Sequence, residues 1–151
     1  MLSHPAHVIS LGFGSGLAPF APGTFGALLG WWLARWLYPF AGDAWFFSGL
    51  ALVTAVGVLA MHVTGTALNK MDHGAIVWDE VVAMALIVAL IPYSLWLQCA
   101  GFVLFRIFDI AKPGPVGWAD RNVGGAWGVL LDDLIAAGLV LVLLALWIKV
   151  F

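Results

Sequence analysis

Five acidic residues stand inside or beside the long apolar stretches of this chain. Asp79 and Glu80 precede one such stretch, Asp132 and Asp133 precede the last one, and Asp109 interrupts an apolar segment near its end. Charge within an apolar segment is costly and usually serves a function. Carboxylate oxygens are also the hard ligands that Mg²⁺ prefers. We therefore predict that these five acids form a metal-binding catalytic pool in which one carboxylate acts as general base.

Cations and glycines accompany the acids. Three cations lie close together in the sequence: Arg106, Lys112 and Arg121. Their positive charges could neutralise a phosphate group, and we predict that they bind its oxygens. Gly23 and Thr24 open an apolar helix, with Thr24 as the expected N-cap, and free N–H groups at a helix N-terminus also suit a phosphate. A plain turn at the membrane entrance explains the same residues, and their spacing leaves both interpretations open.

The sequence does not indicate a covalent route for such chemistry. Six residues separate Cys99 from Arg106, whereas the cysteine phosphatase loop has five, and there is no D-x-D motif for an aspartyl-phosphate intermediate. The expected mechanism is direct attack by a metal-activated water.

The composition identifies the setting. Of 151 residues, 64% are hydrophobic and 9% are charged, and the mean hydropathy is +1.06. Soluble domains carry about 25% charged residues. A disordered chain would need low hydrophobicity, and a nucleic-acid-binding protein would need a basic excess instead of a net charge of −2. We predict one integral-membrane domain over residues 1–151, with no nucleic-acid partner.

Four apolar stretches, at residues 24–40, 44–68, 81–105 and 134–148, predict an all-α, multi-pass membrane bundle. The third stretch fits either one tilted span or a helical hairpin that turns near Pro92. We favour the hairpin because it places most charges on one side of the membrane. These are Lys70, Asp72, Asp79, Glu80, Arg106, Asp109, Lys112, Asp120, Arg121, Asp132 and Asp133, 11 of 14 in all.

The orientation follows from the basic residues. Four of the six Lys and Arg residues lie on that charged face, so the positive-inside rule predicts that the polar loops gather on the cytoplasmic side.

The polar motifs resemble those of the phosphatidylglycerophosphatase A family of small bacterial membrane enzymes. The resemblance covers roughly residues 8–140, and no single motif is unique, but their order and spacing are specific. The matching segments are residues 12–17 (GFGSGL), 22–24 (PGT), 72–80 (DHGAIVWDE), 105–109 (FRIFD), 112–113 (KP), 120–123 (DRNV) and 128–133 (GVLLDD), with Gly138.

The resemblance implies Mg²⁺-dependent hydrolysis of phosphatidylglycerophosphate to phosphatidylglycerol and inorganic phosphate, at the cytoplasmic leaflet of a bacterial inner membrane. It also implies an all-helical fold. The alternative function from another class is a small ion or proton transporter, since intramembrane acids suit a relay. A non-catalytic scaffold subunit would leave the acidic pairs unexplained. The number of metal ions, the oligomeric state and the selectivity among lipid phosphates stay open.

Overall fold

The structure is a computed structural model that describes residues 3–151, and within this range it contains helices and no strand. A short 3₁₀ segment, Gly12–Leu17, follows the first helix. The α-helices are α1 (Pro5–Ser10), α2 (Pro22–Ala41), α3 (Asp43–Ala67), α4 (Trp78–Leu90), α5 (Leu95–Ala111), α6 (Pro115–Asn122) and α7 (Gly125–Val150). The all-α prediction is confirmed.

Two of the described helices, α3 and α7, are long and apolar enough to cross a membrane. The first apolar stretch forms the 20-residue helix α2, but α2 is not among these candidates, contrary to our expectation of a further span. It contains Arg35 near its middle and Pro39 near its end. The structure therefore supports two candidate membrane spans, and the multi-pass topology stays a prediction.

The third apolar stretch is broken at Pro92, as predicted. Proline has no backbone N–H and disfavours a helical conformation of the residue before it; Ile91 is extended, α4 ends at Leu90, and α5 begins at Leu95. Arg106 pairs with Glu80, while Gly101 lies against Ile87, so the two helices run antiparallel. With 13 residues, α4 is about 20 Å long, shorter than the hydrocarbon core of a bilayer.

Glycines allow α2 to lie directly on α4. Gly26 faces Val77 and Gly30 faces the carbonyl group of Val81, so the two helices run parallel. A side chain at Gly30 would collide with the Val81 carbonyl oxygen. Small residues of this kind permit close approach between helix backbones. Consequently, the N-terminal ends of α2 and α4 lie next to each other.

Two expected helix starts are wrong. We predicted Thr24 as the N-cap of α2, but α2 begins at Pro22, because proline fixes a helical φ at the first position; the capping residue is Ala21, with φ 44°. We also placed Asp132 and Asp133 at the entrance of the last helix. Instead α7 begins at Gly125, so both lie about two turns inside it.

The error at α7 has a local cause. We expected the last helix to begin after the glycines that precede Asp132, but Gly128 is helical and lies against the carbonyl group of Val123, where a side chain would collide. Glycine there permits a close contact and does not interrupt the helix.

The close packing of α2 on α4 predicts a clear effect on stability. We expect Gly30→Ala to lower the free energy of unfolding by about 1–3 kcal/mol, because the added methyl group overpacks the contact with Val81. Thermal unfolding in detergent measures this. The control is Gly138→Ala on α7, whose methyl group meets open space; equal melting temperatures for the two variants would contradict the close approach.

Candidate active site

Three carboxylates from two helices meet at one end of the bundle. Asp79 and Glu80 come from the first turn of α4, and Asp133 comes from α7. One oxygen from each lies within 4.8 Å of the others. Asp79 and Asp133 are 6% and 2% exposed, so this group, which we call the acidic triad, is buried. The triad unites residues that are more than 50 positions apart in the sequence.

The acidic triad has more acceptors than the described residues satisfy. Asp79 Oδ1, Glu80 Oε2 and Asp133 Oδ2 are buried and have no hydrogen-bond partner within residues 3–151. A buried carboxylate without a partner is costly, and three close together also repel one another. A divalent cation would satisfy both needs, and oxygen-only donors fit Mg²⁺ or a similar hard ion. The donor set therefore fits the metal that the sequence predicted.

Arg106 supplies positive charge beside the acidic triad. Its Nη1 atom lies 3.7 Å from Glu80 Oε1 and donates a hydrogen bond to Asp109. Its Nε atom is buried and lacks a partner in the described part of the chain. A side chain at Gly23 would collide with Glu80 and crowd Arg106. The N-terminal end of α2 is thus packed directly against this pair.

Lys112 joins a second group of charges. It donates hydrogen bonds to Asp120 and, at 2.8 Å, to Asp132 Oδ2. Asp132 Oδ1 accepts the N–H of Asp133, so both oxygens of Asp132 have partners. Partial burial would by itself lower the pKa of Lys112, but its hydrogen bonds to these two carboxylates outweigh burial and raise that pKa. Lys112 is therefore cationic throughout the physiological range.

The backbone at Lys112 is unusual. The residue ends α5 with φ 46°, a left-handed conformation in which glycine is normally found. A lysine in this position has a conformational cost, and its ion pairs with Asp120 and Asp132 oppose that cost.

The five predicted acids thus separate into three groups. The acidic triad holds Asp79, Glu80 and Asp133, whereas Asp109 is paired with Arg106 and Asp132 with Lys112. Among the predicted phosphate ligands, Arg106, Lys112 and Gly23 belong to these groups. Thr24 donates its N–H to the Ala21 carbonyl at 2.8 Å, and Arg121 lies exposed on α6 beside Gly117. Their phosphate contacts stay predictions.

Asp120 is the residue that sequence reasoning did not assign to the site. It is eight positions from Lys112, across the turn that contains Pro113 and Gly114, so no helical periodicity links them. Only the turn between α5 and α6 brings the two charges together.

A family model and two relatives that match this chain carry the same description. A family model described as Phosphatidylglycerophosphatase A matches residues 8–148. A relative of that name from Escherichia coli is 40% identical over 141 residues, which are 89% of this chain and 78% of the relative. One from Haemophilus influenzae is 39% identical over 137 residues, 90% and 84% of the two chains.

A third relative differs in its name. This Bacteroides thetaiotaomicron protein is 37% identical over 150 residues, 93% of each chain, and is provisionally named a phosphatidylinositol-3-phosphatase. No solved structure matches the chain.

The geometry of the acidic triad predicts which carboxylates bind a cation. We expect Asp133→Asn to weaken Mn²⁺ binding by about tenfold or more, because it removes a ligand that has no other partner. The loss in Asp132→Asn should be smaller, because Asp132 is already bonded to Lys112. Titration with Mn²⁺ monitored by electron paramagnetic resonance measures both.

The control for this titration is Asp43→Asn, which removes an equal charge at the start of α3, where Asp43 bonds to Tyr38. Equal losses in Asp43→Asn and Asp133→Asn would show that net charge, and not the acidic triad, determines binding.

Proposed function

The chain belongs to the phosphatidylglycerophosphatase A family, and we propose that it hydrolyses phosphatidylglycerophosphate to phosphatidylglycerol and inorganic phosphate with the help of Mg²⁺. As a member of this family, it is a phosphatase that acts on a phosphate monoester, and its reaction is a step of phospholipid metabolism. The observation that carries the mechanistic proposal is the acidic triad, because three carboxylates that each keep an unpartnered oxygen meet there, with Arg106 beside Glu80.

The metal-binding role falls to Asp79, Glu80 and Asp133, a narrower set than the five acids predicted from sequence. When bound, Mg²⁺ would supply positive charge for the phosphate oxygens and favour deprotonation of the attacking water. Asp109 and Asp132 have a different role, since each one holds a cationic side chain in place: Asp109 pairs with Arg106, and Asp132 pairs with Lys112.

The cations of the chain bind the phosphate group. Arg106 retains a buried Nε–H without a partner, so it has a hydrogen bond to donate to a phosphate oxygen. Lys112 is held by two carboxylates and keeps its positive charge. This charge stabilises the negative charge that develops on the phosphate group during hydrolysis. Arg121, on the exposed face of α6, is proposed to contact the phosphate as it arrives.

The acidic triad also needs help to keep its own charge. Asp79 and Glu80 occupy the first turn of α4, where the positive end of the helix dipole stabilises carboxylates. Gly23 brings the N-terminal end of α2, a second positive end, against Glu80. A carboxylate of this group is then able to accept the proton that water loses.

The membrane setting follows from the same arrangement. We propose that α3 and α7 cross the bacterial inner membrane, with the α4–α5 hairpin entering the bilayer beside them and the charged end at the cytoplasmic face. The lipid tails then stay in the bilayer while the head group reaches the acidic triad. Clustering of charge at one end argues against the transporter alternative, because a relay needs polar groups through the membrane depth.

A phosphate-release assay tests this proposal. Purified protein should release phosphate from phosphatidylglycerophosphate in detergent micelles, and a chelator should stop release until Mg²⁺ is restored. Asp79→Asn and Arg106→Gln should each lose about 10²-fold or more in kcat, since the first removes a metal ligand and the second removes positive charge that faces the phosphate. Full activity in Asp79→Asn would refute the metal assignment.

Two comparisons complete the assay. Phosphatidylinositol 3-phosphate serves as the competing substrate, and a higher kcat/KM for it would replace the proposed substrate while keeping the phosphatase activity. Purified protein in liposomes should show no ion or proton flux; flux without phosphate release would favour the transporter.

A further inference from the structure

A narrow cleft lies between α2 and α5 on the outer surface of the bundle. Its volume is about 270 Å³, and apart from Gln98 its lining is apolar or weakly polar. Leu28 and Trp31 form the α2 wall, and residues such as Phe102 and Val103 form the α5 wall. We call this feature the α2–α5 cleft. It is smaller than a site for a whole lipid and suits part of one chain.

The α2–α5 cleft leads to the candidate active site. On α2, Leu28 is one helical turn from Thr24, and on α5, Phe102 is one turn from Arg106. Residues four apart share a helix face. The α5 wall of the cleft therefore continues along the helix to Arg106, which contacts Glu80 of the acidic triad. The α2 wall continues to the N-terminal end of α2, which is packed against the same two residues.

Polar contacts mark the far part of the cleft. Gln98 is fully buried, and its side-chain oxygen accepts hydrogen bonds from Arg35 at 2.8 Å and Trp31 at 3.1 Å. The guanidinium of Arg35 also lies 4.5 Å from the centre of the Tyr93 ring. Gln98 and Arg106 are eight positions apart, about 12 Å along α5. This depth corresponds to the upper part of a fatty acyl chain.

Resting on the proposed function, we propose that the α2–α5 cleft holds the upper part of one acyl chain of the lipid substrate and thereby aligns its head group with Arg106. Lipid tails are already in apolar surroundings within a bilayer, so the hydrophobic effect contributes little to the binding of an acyl chain in the cleft. Its contribution is orientation, which brings the phosphate to the catalytic groups in a productive geometry. The cleft therefore affects long-chain substrates and not those with very short chains.

A pair of matched variants tests this role. Leu28→Trp fills the cleft, whereas Leu59→Trp makes the same change on α3, away from it; both leucines are exposed, by 42% and 70%. Two substrates with the same head group are compared in detergent micelles, one with hexadecanoyl and one with acetyl chains. We expect Leu28→Trp to lower kcat/KM for the long-chain substrate about fivefold through lost alignment, with the short-chain value near wild type.

The control and a milder variant complete the kinetic test. Leu59→Trp should change neither substrate, and Leu28→Phe should show a smaller loss in the same direction if Leu28→Trp does not fold. An unchanged ratio of long-chain to short-chain kcat/KM in folded Leu28 variants would overturn the acyl-chain role.

A binding measurement separates this proposal from the proposed function. If the wild type releases no phosphate from either substrate, the proposed function fails, and the cleft is then tested by photo-crosslinking. The probe is a lipid with a phosphate-monoester head group and a diazirine in its chain. It should label residues 28–31 and 102–103 in wild type and Leu59→Trp, and less in Leu28→Trp. Equal labelling by a phosphatidylcholine probe would show that the cleft holds bulk lipid only, and would overturn the proposal.

Discussion

Mutual repulsion among three buried carboxylates is the constraint on which the rest of this structure depends. Asp79, Glu80 and Asp133 place an oxygen each within 4.8 Å of the others, with one arginine in reach. Such a group is unfavourable unless positive charge is supplied from several directions. Two helix N-termini and Arg106 supply part of it, and a divalent cation would supply the remainder. The site thus combines built-in attraction for a cation with groups that bind phosphate.

The fold converges on this constraint. Parallel packing of α2 on α4 requires the glycines at positions 26 and 30, and it brings two helix N-termini to the same end. The break at Pro92 reverses the chain, so α5 returns Arg106 to Glu80. The continuous helix α7 then presents Asp133 to the pair on α4. Each element contributes charges, a helix end or both, and the site forms only where all of them meet.

The sequence predicted the family and the helical fold better than the geometry of the site. Apolar stretches and Pro92 were enough to predict an all-helical fold with a break in the third stretch, because both signals are local. The division of the five acids was not predictable, because it depends on which carboxylates meet in space. Asp132 and Asp133 are adjacent in sequence, yet neighbouring residues on a helix point in different directions, so one binds Lys112 and the other joins the acidic triad. The start of α7 was misplaced for a related reason. Gly128 lies against the carbonyl group of Val123, and the sequence pattern does not reveal this contact.

We propose that Asp79, Glu80 and Asp133 together form the cation site of a lipid phosphatase. Crystals soaked with Mn²⁺ and measured at a wavelength with strong manganese anomalous scattering test it directly. Our account predicts an anomalous peak among the three carboxylates, with Asp132 still bonded to Lys112. A peak bound to Asp109 and Asp132, with none at the acidic triad, would contradict it.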